Sequence, residues 1–321
     1  MTDWATFATV TVALTLLLLY FTRRTQRTLE RVRIVDSRDC VGVGGRNAAE
    51  SAVETDDSDT AGSAVETGDS DAAESAVETG DSDAATVDAD RQPFASDDPT
   101  PTAPPPHGGE PVLTTAALLA NAALSQLLAL AVLVGVAWWA GVPASAFGIG
   151  DGNPALGTVG ASWIDSIGPV AAAGVGAVVG GILYLGNELA AGVGARVGVS
   201  PSVRLREAMA PGDTRGWALL LGVALPIVAV FEEALFRGAL IGALALGLAV
   251  DPWLLAVGSS VAFGLGHGAQ GRLGIVVTAL LGFALAAVFI ATGSVLVVIA
   301  AHYVVNVLEF IVREGLDIEP V

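Results

Sequence analysis

Apolar residues in this chain gather in long runs separated by short polar punctuation. Seven runs stand out: residues 4–21, 112–140, 168–195, 217–248, 253–267, 273–291 and 295–312. A bilayer core of roughly 30 Å takes about 20 apolar residues in a helix to cross. The pattern therefore predicts an all-α fold, a polytopic transmembrane helix bundle of about seven spans. The fifth span is short and the fourth long. Pro226 interrupts the fourth and predicts a kink there. The first run has no basic stretch before it and no small-x-small cleavage site after it, which reads as a signal anchor rather than a cleaved signal peptide.

The gap between the first and second runs has a different texture. It holds a 12-residue repeat, SAVETDDSDTAG from Ser51, SAVETGDSDAAE from Ser63 and SAVETGDSDAA from Ser75, and then the Pro-rich run PTPTAPPPHGG. One Val per acidic unit cannot build a core, so this segment is expected to be a long disordered acidic linker. The predicted organisation is an N-terminal transmembrane anchor at 1–22, the linker at 23–111 and a polytopic membrane domain at 112–316.

Composition sharpens this division. The chain has 321 residues, 53% of them hydrophobic and 15% charged, yet its formal net charge is -18. Residues 47–110 carry 17 acidic residues and one Arg, a net of -16, and the remainder is close to neutral. Two populations of residues thus explain an apolar but acidic chain. No basic footprint exists for nucleic acid, so the expected partners are the lipid bilayer and a peptide or protein within it, with no nucleic acid. Cys40 is the only cysteine, which excludes an intrachain disulfide and a thiolate metal cluster. All 15 basic residues are Arg, and with the acidic linker the absence of Lys hints at a high-salt cytoplasm.

Arginine placement gives an orientation. With the fourth run kept as one span, 14 of the 15 arginines fall on one side, and the opposite loops 141–167, 249–252 and 292–294 hold none. The positive-inside rule then puts the N-terminus outside and the linker and C-terminus in the cytoplasm of a cell-membrane protein.

Arg237 is the exception. It lies in Phe231-Glu232-Glu233-Ala234-Leu235-Phe236-Arg237-Gly238, near the middle of an apolar run. Each charge there costs about 2.5–3.5 kcal/mol on insertion scales. Glu233 and Arg237 are spaced i,i+4 and can pair on one face. Glu232 points about 100° away and is left without a partner in its own helix. A buried ion-pair cluster explains Glu233 and Arg237 well and Glu232 poorly. Two further polar sets follow: Phe263-Gly-Leu-Gly-His267, and His302-Tyr-Val-Val-Asn306, which puts His302 and Asn306 on one face. Gly264, Gly266 and Gly268 beside His267 permit irregular backbone or close approach. The third run carries Gly176-x-x-x-Gly180, a pattern for close helix packing. Asn121 and Gln126 in the second run read as helix cross-links. Asn187, Glu188 and Glu309 read as contacts with interfacial water. If the three polar sets converge, they supply a base for water, imidazoles and an amide donor, the parts of a hydrolytic site.

The ordered trio Glu232-Glu233-x-x-x-Arg237, Phe263-x-x-x-His267 and His302-x-x-x-Asn306 resembles the CPBP family of CAAX prenyl endopeptidases, bacteriocin-processing or immunity proteins and Abi-like relatives. The resemblance covers residues 217–312. It implies a membrane-embedded endopeptidase acting on membrane-associated or prenylated, CAAX-type substrates. Glu232 would activate a water, His267 would hold and polarise it, and His302 with Asn306 would stabilise the oxyanion. Glu233, Arg237 and Phe263 would support the site, with Glu233 a candidate to share acid-base work. The family is often called metalloprotease, so Glu232, Glu233, His267 and His302 are also a possible zinc set. No HExxH signature is present, and a metal-free glutamate mechanism fits the residues equally well. Buried carboxylates and histidines also suit a proton- or ion-coupled transporter, and a non-catalytic immunity or scaffold protein would keep the same fold.

Overall fold

The computed structural model describes residues 1–29, 114–150, 153–156, 161–196, 198, 202–316 and 318. These belong to one compact unit, formed by Met1–Val43 and Glu110–Val321. The acidic repeats and the Pro-rich run lie outside the described residues.

The described residues are helical, with no strand among them. In chain order the helices are α1 (Trp4–Leu29), α2 (Thr115–Trp139), α3 (Ala161–Arg196), the short α4 (Arg204–Met209), α5 (Thr214–Leu248), α6 (Pro252–Gly266), α7 (Gly271–Thr292) and α8 (Val295–Gly315). Six are long and apolar enough to cross a membrane, and α6, at 15 residues, is the short seventh. The expected count and the short fifth span are borne out. Caps mark several boundaries. Thr114 accepts a hydrogen bond from the Ala117 amide of α2, Asp213 one from Gly216 of α5, and Asp251 accepts from Trp253 and Leu254 at the start of α6. Gly293 ends α7 at a φ of 67°.

α5 is one continuous helix built from alternating α and π turns. Leu220–Ala224 and Ala234–Ala243 are π-helical, and the segments around them are α-helical. Pro226 follows the first π segment. It has no N–H, and the i→i+5 pattern of a π turn would have matched that N–H with the carbonyl of Leu221. The Tyr303 hydroxyl donates to the Leu221 carbonyl instead, at 3.0 Å. The second π segment is supported in the same way. Ser259 donates to the Phe236 carbonyl at 2.7 Å, and Asn153 donates to the Gly242 carbonyl at 2.9 Å. Side chains of other elements thus satisfy backbone groups for which the apolar interior has no water.

α3 and α8 pack closely through small residues. A Cβ at Gly176 would lie 2.3 Å from the Val297 carbonyl oxygen, and one at Gly180 would lie 2.4 Å from that of Ala301. The small-residue pattern read from the sequence is thereby accounted for. α1 packs within the same body. Phe7 is fully buried among Phe231, Leu235, Phe236, Ala239 and Phe263. The Trp4 ring covers Gly247, where a Cβ would fall 2.2 Å from Cε3.

The two ends of the bundle differ. At one, Asp3 and Thr2 bond the carbonyls of Ala140 and Gly141, and Val295 bonds that of Gly148. At the other, Arg206 binds Glu309 and Glu314, Asn187 binds Glu309, and Arg313 binds Glu188. Asn187, Glu188 and Glu309 are therefore paired with protein groups rather than with water alone. Burial works against the charged form of Arg206, but the Glu314 and Glu309 carboxylates outweigh it and hold its pKa above the ordinary arginine value.

Candidate active site

Glu232 and Glu233 close the central α-helical segment of α5, and Arg237 lies one turn on, in the π segment. Glu233 and Arg237 are 0% and 1% exposed. Arg237 Nη1 donates to Glu233 Oε1 at 2.7 Å, the pair expected from the spacing. Its Nη2 donates to the Gly282 carbonyl of α7 at 2.9 Å, and its guanidinium sits 4.7 Å from the Phe263 ring centre of α6. One buried cation thus joins three helices, stabilised by an ion pair, a backbone acceptor and an aromatic face.

His302 of α8 connects the two glutamates. Its Nδ1 lies 2.7 Å from Glu233 Oε1. Its Nε2 lies 3.7 Å from Glu232 Oε2, too far for a direct hydrogen bond. A carboxylate can only accept, so Nδ1 carries the proton of this bond and Nε2 faces Glu232. Glu232 leaves the Glu233–Arg237 face as expected. Its Oε1 accepts from Gln126 Nε2 of α2 at 3.3 Å.

Phe263 is the aromatic centre of the site. Its ring contacts those of His267 at 4.6 Å, His302 at 5.8 Å and Phe236 at 5.1 Å. His267 caps the C-terminus of α6, with Nδ1 2.9 Å from the Phe263 carbonyl. It contacts the same Phe263 ring as His302 and, among the described residues, forms no ion pair with either glutamate. Asn306 lies one turn beyond His302 on α8, half-buried, and makes no side-chain hydrogen bond among the described residues. The three motifs converge around one aromatic ring, which Arg237, His267 and His302 all contact.

Four atoms here are buried without a hydrogen-bond partner among the described residues: Gln126 Oε1, Glu232 Oε2, Glu233 Oε2 and Arg237 Nε. Buried polar groups are normally satisfied, and unpaired ones concentrate where a ligand or water does the pairing. The donor set does not suit a divalent cation as it stands. Glu233 Oε1 is shared by Arg237 and His302, and among the described residues no three His, Cys, Asp or Glu side chains converge on one point.

This convergence coincides with a family signal. Residues 214–308 match the Rce1-like family, type II CAAX prenyl endopeptidase. The resemblance read from three motifs is borne out over that stretch. It contains α5, α6, α7 and most of α8, and every motif residue. No curated protein and no solved structure matches the chain. Residues 214–308 thus carry a similarity to a protease family, in a chain with six described helices long and apolar enough to cross a membrane. Gln126 and Phe7, which reach the core of that stretch from α2 and α1, lie outside it.

Four supports of the site were not legible in the sequence. Gln126 read as a helix cross-link, without its partner. Tyr303, Ser259 and the Gly282 carbonyl carried no signal, because their partners depend on how distant helices register.

Proposed function

We propose that this protein is an intramembrane endopeptidase in which Glu232 activates water for attack on a peptide bond. The observation that carries the reading is the pairing of an unsatisfied Glu232 Oε2 with His302 Nε2, 3.7 Å apart. A water can donate one hydrogen to each of these acceptors and keep a lone pair for the scissile carbonyl. Glu232 takes the proton as the C–O bond forms and returns it to the departing amine as the C–N bond breaks. Glu233 orients His302 through Nδ1, and Arg237 balances the charge of Glu233. Asn306 supplies an amide N–H to the oxyanion. His267, in contact with the Phe263 ring, lines the approach of water or peptide. In this reading His302 serves the water rather than the oxyanion, because its Nδ1–H is committed to Glu233.

The substrates proposed are membrane-associated peptides, with prenylated CAAX-type peptides the first class to try. The proposed setting is the cell membrane, with the N-terminus outside and the Arg-bearing end of the bundle in the cytoplasm. The test uses purified protein with a fluorescence-quenched farnesylated CAAX-type peptide and an unprenylated membrane peptide. Glu232→Gln is expected to lower cleavage by about 10²–10⁴-fold while thermal unfolding stays close to wild type. A folded Glu232→Gln protein with wild-type turnover refutes the mechanism. Proton-coupled flux in liposomes without cleavage favours a transporter.

A further inference from the structure

We propose that Gln126 is a working part of this site. It selects the oxygen of Glu232 that faces the reaction, and its own amide oxygen takes a hydrogen bond from the backbone of the bound peptide. This rests on the endopeptidase reading above.

Gln126 stands on α2, outside the stretch that matches the protease family. Its neighbour Ser125 donates to the Ala122 carbonyl of the same helix, whereas the Gln126 amide reaches across to α5. A carboxylate offers no hydrogen, so the amide must turn its nitrogen to Glu232 and its oxygen away. Two consequences follow. Glu232 Oε1 is occupied, which leaves Oε2 as the oxygen opposite His302. And Gln126 Oε1 is left buried with no partner among the described residues.

That orphaned oxygen has the right chemistry for a peptide backbone. An extended peptide presents N–H and C=O groups in alternation. When the scissile carbonyl meets the water at Glu232, an adjacent N–H enters the same low-dielectric interior and needs an acceptor. Among the described residues, the other buried oxygens of the site without a partner are Glu232 Oε2 and Glu233 Oε2. Both belong to carboxylates engaged in proton transfer or in orienting His302. Of these three buried oxygens Gln126 Oε1 is the neutral one, and it can bind an N–H without taking a proton.

The experiment compares wild type with Gln126→Met, which keeps length and removes both amide functions. The substrates are the farnesylated CAAX-type peptide and analogues in which single N–H groups flanking the scissile bond are replaced by an ester oxygen. Gln126→Met is expected to lower kcat by about 10-fold to 100-fold. One ester analogue is expected to cost the wild type about 10-fold and the variant almost nothing, because the acceptor is already gone. Gln126→Glu supplies a second comparison should the methionine variant fail to assemble. Two adjacent carboxylates share a proton, so its pH optimum for cleavage moves upward, which altered helix packing alone would not cause. Wild-type turnover by Gln126→Met overturns the proposal. So do equal ester penalties in both proteins, or an unmoved optimum in Gln126→Glu. A wild type that cleaves neither peptide overturns the endopeptidase reading and this role with it.

Discussion

At the scale of single residues, the site turns on the environment of Arg237. A guanidinium that is 1% exposed persists in an apolar interior because Glu233, the Gly282 carbonyl and the Phe263 face divide its charge among three helices. Arg237→Met removes that cation and leaves Glu233 buried beside His302 alone. The expected cost is about 3–5 kcal/mol, as for breaking a buried pair by deleting one partner. It would be read as a lower unfolding temperature in detergent, and an unchanged temperature would contradict it. Arg237→Lys recovers only part of the loss, because one ammonium lacks the planar fork that reaches the carboxylate and the carbonyl together. The i,i+4 relation of Glu233 and Arg237 was legible because helix geometry fixes it within one segment. The reach of Gln126 to Glu232 was not, since no spacing rule relates residues on separate helices. Nor was Tyr303, whose role exists because Pro226 frees a carbonyl far away in sequence.

At the scale of elements, the apolar runs gave span number and approximate bounds, because length and hydropathy alone decide what crosses a bilayer. The interior of α5 was less readable. The expected Pro kink takes the form of a π turn before Pro226, and a second π segment carries Arg237. A wheel drawn at 100° per residue loses phase through such turns, so the faces of α5 beyond Glu233 follow from contacts rather than from spacing. α1 also exceeds what its sequence suggests. An anchor helix needs only to be apolar, whereas this one buries Phe7 in the protein core and packs a partly buried Trp4 against it. Removing residues 1–22 should therefore destabilise the bundle, since emptying one buried Phe site alone costs about 3–5 kcal/mol. Co-expression of residues 1–29 as a separate peptide should restore stability. A truncated protein that unfolds at the wild-type temperature would show that α1 is only a tether.

At the scale of the whole molecule, two of the arginines that suggest an orientation, Arg206 and Arg313, form ion pairs at one end of the bundle. There they hold α4, α3 and α8 together. The proposed orientation is open to a direct test, because Cys40 is the only thiol in the chain. A membrane-impermeant maleimide should label Cys40 in inside-out vesicles and leave it unlabelled in intact cells, and the opposite pattern would invert the topology. The packing of α1 has a consequence in time as well as in space. Trp4 seats on Gly247, and Phe7 lies in one core cluster with Phe231 and Phe263. The ribosome makes these partners more than 200 residues after the helix that meets them. At about 5–20 residues per second, α1 waits roughly 10–50 s in the bilayer before its binding surface exists. Throughout that interval its Phe and Trp side chains face lipid, and Thr15 keeps its hydroxyl satisfied on the Thr11 carbonyl of the same helix. The first helix to be inserted is thus among the last to be assembled, and any factor that holds or releases it during synthesis sets the moment at which the interior is sealed.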